Sequence, residues 1–213
     1  MAVRVDLNLS LDGVAMPAGR SAENPMGKDW GRLVTHYAAT RTFRRRVLHD
    51  TTGKGTTGVD DRYAAAYFEG VGAEIMGAGM FGLHAFPDDP DWRGWWGDEP
   101  PFEVTVLVLT HRKLPTLEFD NGTRFEFLAT SPADALARAE ELAGGADVRV
   151  GGGVGVVRDF LAAGLVDRLH VAISPIVLGA GVRLWDDLQD LDLTYAVSSE
   201  VAESGVIHVT FTR

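Results

Sequence analysis

Two glycine clusters are the first places in this 213-residue sequence where residue type and spacing could do chemistry. One is GAGMFG, Gly77–Gly82, which follows a short apolar run, Ala73–Met76. The other is GGGVG, Gly151–Gly155: an alternating run ends at Val150, and Val156, Val157, Phe160, Leu161 and Leu165 then return at helical spacing. Strand, glycine hinge and helix together outline a phosphate cradle. Backbone without a Cβ admits a close approach, and a helix starting near Val154 aims unpaired N–H groups and its positive dipole end at whatever lies there. Neither cluster is a dinucleotide fingerprint of the doubly wound folds. Gly77–Gly82 matches G-x-G-x-x-G, but LHAFPDDPDW after it is no helix; in the second, position 156 is valine and the next strand ends in Ser174-Pro175, without a ribose-binding acid. Two hinged strand ends of one sheet can still line one nucleotide, because ligands of open α/β sheets gather at the strands' carboxyl ends. Tight turns alone would account for both equally.

Other chemistry-bearing residues are few. Asp12 stands where the first strand ends, before Gly13, and could bind a polar ring or relay a proton; accepting turn hydrogen bonds is the competing role. The six histidines, His36, His49, His84, His111, His170 and His208, show no H-E-x-x-H or H-x-H spacing, so no metal site is expected. His170 and His208 fall in predicted strands and read as packing or sheet-surface groups. There is no G-x-S-x-G, and Gly53-Lys54-Gly55-Thr56 lacks the preceding strand and glycine pattern of a P-loop. Trp92, Trp95 and Trp96 could wall a planar heterocycle, form a dimer interface or pack a loop.

The elements that must position these residues alternate along the chain. Val3–Leu9 is a strictly alternating strand, with Val3, Val5, Leu7 and Leu9 on one face and Arg4, Asp6 and Asn8 on the other. A loop from Asp12 to about Gly27 precedes one helix carrying Trp30, Leu33, Val34, Tyr37 and Phe43 and fading into the basic run RTFRRR. A second helix, capped by Asp60 or Asp61, buries Ala64, Tyr67, Phe68 and Val71 and ends at Gly72. Ala73–Met76, Glu103–Thr110, Arg124–Ala129 and Leu169–Ser174 are strands. TSPADALARAEELAGG is a helix capped by Thr130 or Ser131, with Pro132 in its first turn and Gly144 beyond its end. LTYAVSSEV and VIHVTFTR form an antiparallel hairpin through Glu203–Gly205. No repeat or low-complexity linker interrupts the chain, so residues 1–213 are expected to be one α/β domain with a mixed sheet.

Composition narrows the function classes. A net charge of −10 and only one short basic run argue against nucleic acid. The absence of cysteine removes disulfides and thiolate sites and suits a reducing cytosol. No apolar run approaches the roughly 18 residues of a membrane span, and the expectation is a cytoplasmic protein.

Several segments together resemble one family in its own order: NLSLDG (Asn8–Gly13), ENPMG (Glu23–Gly27), TGVDD (Thr57–Asp61), IMGAGMFG (Ile75–Gly82), WRGWWGDEPPF (Trp92–Phe102), LVLTHR (Leu107–Arg112) and the segment Val150–Gly181. The chain resembles the dihydrofolate reductase superfamily, in its riboflavin-biosynthesis reductase branch, the RibD C-terminal domain. The resemblance implies a three-layer α/β/α sandwich with a mixed sheet, a homodimer, and NADPH bound along the C-terminal edge of the sheet. It implies that Gly77, Ala78, Gly79, Met80 and Phe81, with Gly151, Gly152, Gly153, Val154 and Gly155, hold the cofactor phosphates. Thr110, His111 and Arg112 would lie near the adenosine 2′-phosphate, with Arg112 making the charge-assisted contact that favours NADPH over NADH. The nicotinamide would rest around Asn8–Ala15, with backbone hydrogen bonds from Ala15 and with Asp12 beside it as the candidate catalytic acid. Relatives carry Gly-Arg where this chain has Gly77-Ala78, so one cation toward the cofactor is lost.

The activity implied is NADPH-dependent reduction of a small heterocyclic or carbonyl substrate, similar to the 5-amino-6-(5-phosphoribosylamino)uracil reductase of riboflavin biosynthesis. Hydride transfer needs orientation and exclusion of water more than a nucleophile, which fits the lack of a triad. A non-catalytic small-molecule binding protein on the same scaffold is the alternative that Ala78 favours. True dihydrofolate reductase activity would need an acid on a helix that this sequence does not supply.

Overall fold

The computed structural model describes every residue except Ala22, Pro87, Asp88 and Asp187. Its elements are, in order, β1 (Val3–Ser10), β2 (Val14–Pro17), α1 (Trp30–Ala38), α2 (Arg41–Arg46), α3 (Val59–Ala66), β3 (Val71–Gly77), α4 (Ala78–Phe81), β4 (Thr105–Leu109), β5 (Leu117–Glu118) and β6 (Arg124–Leu128). There follow α5 (Pro132–Ala143), β7 (Asp147–Gly152), α6 (Val154–Ala162), β8 (Arg168–Ser174), β9 (Gly181–Arg183), α7 (Leu191–Thr194), β10 (Ala196–Val201) and β11 (Ile207–Thr212). The larger sheet is mixed, with strand order β10-β11-β8-β1-β7-β3-β4-β6-β5, and β2 pairs with β9 in a small antiparallel sheet. The expected mixed α/β class and the C-terminal hairpin β10–β11 are both present, the latter in register from Ala196 opposite Thr212 to Val201 opposite Ile207.

Two compact units divide the chain: Met1–Val5 with Gly70–Asp167, and Asp6–Glu69 with Arg168–Arg213. In the first unit β7, β3, β4 and β6 run parallel, and β3 and β4 are largely buried on both faces, as central parallel strands must be. Ile75 and Met76, neighbours pointing to opposite faces, are both fully buried. Met76, Val106, Val108 and Phe125 form one core with Phe81, Leu83 and Phe119. Helix α5 forms where the sequence asks for it. Ser131 Oγ accepts from the Asp134 N–H, Pro132 opens the first turn, and Gly144 takes the left-handed conformation past the end.

The second unit departs from the sequence reading in several places. The single helix expected from Trp30 through the basic run is two, α1 and α2. Thr40 is extended (φ −68°, ψ 151°) and its Oγ1 accepts from the Phe43 N–H, so it caps a new helix instead of continuing the old one. Neither Asp60 nor Asp61 caps α3; Gly58 stands at its cap, Asp61 Oδ1 accepts from the Thr42 N–H at 2.8 Å, and Asp60 turns to His208. Helix α3 stops at Ala66, while Gly72 lies within β3, where a Cβ would press on the Ala143 backbone of α5. The loop expected over Asp12–Gly27 contains β2, and α7, Leu191–Thr194, takes Leu193 and Thr194 out of the strand expected from Leu193.

Candidate functional site

In the first unit the two glycine bends meet. Gly77 closes β3, Gly153 follows β7, and a Cβ built on Gly153 would lie 3.2 Å from the Gly77 N and Cα atoms. Backbone therefore rests on backbone, closer than a side chain ordinarily allows, and Gly153 stands at φ +84°, a conformation that strains any residue but glycine. Two of the remaining glycines of the second cluster, Gly151 and Gly152, have a reason of their own. At Gly151 a Cβ would collide with the Glu74 carboxylate, which is buried and paired with Arg149 Nη1 at 3.1 Å across β3 and β7. At Gly152 it would meet Met80 Sδ at 3.3 Å, so the half-buried Met80 thioether sits over this turn of backbone. At Gly155 it would meet nothing within 4 Å, and this residue is exposed.

Gly155 lies in the first turn of the nine-residue α6, whose cap residue Gly153 offers no side-chain acceptor to the first N–H groups. Those groups lack intrahelical partners by construction and carry the positive end of the helix dipole. The fit to an anionic group is thus a side-chain-free helix start with open space at Gly155 and Val154 buried behind it.

GAGMFG holds a surprise. Ala78–Phe81 makes a single helical turn, α4, which ends at Gly82 in the left-handed conformation (φ +100°). Its last carbonyls are capped by indoles: Trp92 Nε1 donates to the Phe81 carbonyl at 3.0 Å and Trp95 Nε1 to the Met80 carbonyl at 2.8 Å. Trp92 also stacks on Phe86 at 4.1 Å, and Trp96 packs on Phe102 and Phe125. All three tryptophans therefore pack within this unit against α4 and the aromatic core. His84 lies beside the bend, its Nδ1 3.2 Å from where a Gly79 Cβ would stand. Beyond β4, the Thr110 N–H donates to the Leu128 carbonyl and its hydroxyl accepts from the Arg112 N–H at 3.1 Å. His111 and Arg112 are exposed, and the Arg112 guanidinium has no partner among the described residues.

In the second unit Asp12 is fully engaged. Its carboxylate accepts from Ser10 Oγ at 2.7 Å, from the N–H groups of Leu178 and Gly179 at 3.0 and 2.8 Å, and from Arg183 Nη2 at 3.4 Å. The Ser10 hydroxyl first, and then the two backbone donors, hold its carboxyl well below the usual carboxylate range. Gly13 follows at φ +77° with the Trp185 indole where a Cβ would go. Ala15 is buried in β2, at the irregularity between Val14, opposite Arg183, and Met16, opposite Val182.

Sequence reasoning missed a second group in this unit. Asp6, His170, His208 and Asp60 are all buried and linked in a row: His170 Nδ1 to Asp6 Oδ1 at 3.1 Å, His170 Nε2 to His208 Nδ1 at 3.0 Å, and His208 Nε2 to Asp60 Oδ1 at 2.8 Å. The signal was faint: Asp6 lies on the polar face of the alternating VRVDLNLS, and only His170, set between Leu169 and Val171 in RLHVAIS, stood out. His170 and His208, read as packing or surface groups, are the centre of this array.

Comparison with known proteins follows the same lines. The family model described as the RibD C-terminal domain matches residues 1–207. A curated protein of Bacillus subtilis (strain 168), the uncharacterised YyaP, is 31% identical over 67 residues, a stretch covering 32% of this chain and 36% of that protein. Among solved structures, a protein of Shewanella sp. PV-4 provisionally assigned to riboflavin biosynthesis superposes with a TM-score of 0.59 at 21% identity, covering 100% of this chain and 99% of that one. A Thermotoga maritima diaminohydroxyphosphoribosylaminopyrimidine deaminase/5-amino-6-(5-phosphoribosylamino)uracil reductase gives 0.52 at 15% identity, and RibD of Acinetobacter baumannii 0.51 at 17%. This chain spans 56% and 57% of those two proteins.

Proposed function

The chain belongs to the RibD C-terminal domain family, and from that premise we propose that it is an NADPH-dependent reductase of a small heterocyclic substrate of the riboflavin-pathway kind. The observation that carries the reading is the backbone-on-backbone meeting of Gly77 and Gly153, beside an uncapped helix start. Phosphate oxygens would take the first N–H groups of α6 at Val154 and Gly155, and the backbone of Gly77–Phe81 would border them. When bound, the nicotinamide supplies the hydride; the protein's part is to hold and orient.

Arg112 answers the loss of a cation at Ala78. An exposed guanidinium after β4 is available to a 2′-phosphate, and its fixed fork suits a bidentate contact. Asp12 acts in this reading as a positioning residue. A carboxyl held so far down carries no proton to give near neutral pH, and its four hydrogen bonds tie Ser10, Leu178, Gly179 and Arg183 into one loop. Ala15 is assigned a backbone contact to the cofactor. We also propose a homodimer in the cytoplasm, on family resemblance alone.

Titrating the protein into NADPH and into NADH, followed by nicotinamide fluorescence, tests this. Arg112→Ala is expected to weaken NADPH by about tenfold or more, the loss of one hydrogen bond to a charged group, and to leave NADH unchanged. Equal losses for both would remove Arg112 from the 2′-phosphate. Absence of NADPH binding by the wild type, together with binding of a pyrimidine or pterin, would support the second reading, a non-catalytic binder, which Ala78 favours.

A further inference from the structure

The second unit buries a layer of polar side chains where a hydrophobic core is expected, and its centre is the row Asp6–His170–His208–Asp60. None of the four is more than 7% exposed. Three hydrogen bonds join them end to end, and each needs one proton. Two neutral imidazoles and two carboxylates supply only two. With Nδ1–H of His170 given to Asp6 and Nε2–H of His208 given to Asp60, the facing nitrogens, 3.0 Å apart, would present two lone pairs to each other. That contact is stable only with a third proton in the row.

We propose that this row is a buried proton-sharing latch, holding three protons and a net charge of −1 at neutral pH, and that the third proton ties His170 on β8 to His208 on β11 and clamps α3 through Tyr63, whose ring lies flat on both imidazoles and stacks on the cation. Its ground form has a doubly protonated His170 between Asp6 and His208, and a neutral His208 donating to Asp60. Burial pushes the His208 imidazole down, in keeping with a neutral His208.

The surroundings are consistent with a fixed array. From α3 the Tyr63 ring lies flat on both imidazoles, 4.2 Å from each centroid and within 6° of parallel, and Tyr67 is tilted against His170 at 6.3 Å. From β10, Glu200 accepts from Tyr63 Oη at 2.8 Å and pairs with Arg62. From α1, His36 meets His208 edge-on at 6.2 Å; burial pushes this imidazole down to about 4, so it stays neutral and adds no charge. Thr210 on β11 is buried in the same layer. Asp6 and Asp60 carry the row's own negative charge, and Glu200 meets it through Tyr63.

Long-range imidazole ¹H–¹⁵N spectra of the wild-type protein at neutral pH test the proton count. The expected result is one ring protonated at both nitrogens, assigned to His170, His208 with a proton on Nε2 only, and three side-chain protons in slow exchange. Two neutral rings with bare facing nitrogens would overturn the proposal. Raising the pH until the third proton leaves is expected to increase opening of the α3 amides about tenfold after correction for intrinsic exchange, the loss of the buried cation under the Tyr63 ring. Unchanged α3 protection would refute the clamp. Asp6→Asn keeps an acceptor and removes the charge, so the third proton should leave at least about one pH unit lower; no change would count against the row. Should that variant not fold, the wild-type spectra and α3 exchange decide alone.

Discussion

The interiors of the two units are built on opposite principles. The first closes on Met76, Phe81, Leu83, Val106, Val108, Phe119 and Phe125, with aromatic rings edge to face at 5.0 Å for Phe81 and Phe125. The second buries Asp6, His36, Asp60, His170, His208 and Thr210 in one layer. Hydrophobic burial is non-directional and indifferent to pH, whereas a buried hydrogen-bonded row is directional and titrates. Both units also bury apolar side chains, and the first holds the Glu74–Arg149 ion pair, but the imidazole array belongs to the second.

Phe125→Ala should have the largest effect. The ring is fully buried and touches Phe81, Trp96, Phe102 and Phe119, so its removal leaves a cavity and costs about 3 to 5 kcal/mol. Urea unfolding at pH 6 and at pH 8 should give the same loss. A loss that depends on pH would erase the distinction between the two interiors.

His36 supplies the next effect, in the other unit. Its Nδ1 is buried without a partner among the described residues, and its pKa in the folded chain falls from 6.5 to about 4 because burial disfavours the imidazolium. As pH drops below 6.5 the unfolded chain binds this proton while the folded chain does not until about 4. Stability is therefore intact above 6.5 and lost progressively down to about 4, by up to about 3 kcal/mol. His208, also lowered by burial, acts in the same direction. His36→Leu should flatten that acid slope in a pH series of thermal unfolding; an unaltered slope would locate the titration elsewhere.

This contrast also explains what could be read from the sequence. Elements ruled by local signals were legible: α5 from Ser131, Pro132 and Gly144, α6 from the return of apolar residues after Val154, and the hairpin from its alternation. The bends at Gly77 and Gly153 were legible as bends, but their meeting is a contact between remote segments. What looked like a cofactor glycine at Gly151 is also required by the Glu74 carboxylate, a reason no spacing reveals. The buried row was illegible for the same cause. Asp60 reads as a helix cap from its neighbours alone, and only the pairing of β8 with β11, which sets Ala172 opposite His208 and His170 opposite Thr210, delivers His208 to it. Short β2, β9 and α7 were missed because four residues or fewer give periodicity too little to work on.

The smallest effect probes whether the units differ only inside. Thr40 caps α2 in the second unit and Ser131 caps α5 in the first, each accepting from the N–H three residues on, at 3.1 and 3.2 Å. Neither hydroxyl titrates in the accessible range, and both satisfy the same orphan donor at a helix start. Thr40→Ala and Ser131→Ala should each cost about 1 kcal/mol, equal within error and independent of pH between 5 and 8 by urea unfolding. If Thr40→Ala became costlier as pH fell while Ser131→Ala did not, proton linkage would reach the local structure of the second unit as well as its core. Equal, flat costs would confine it to the layer around His170 and His208.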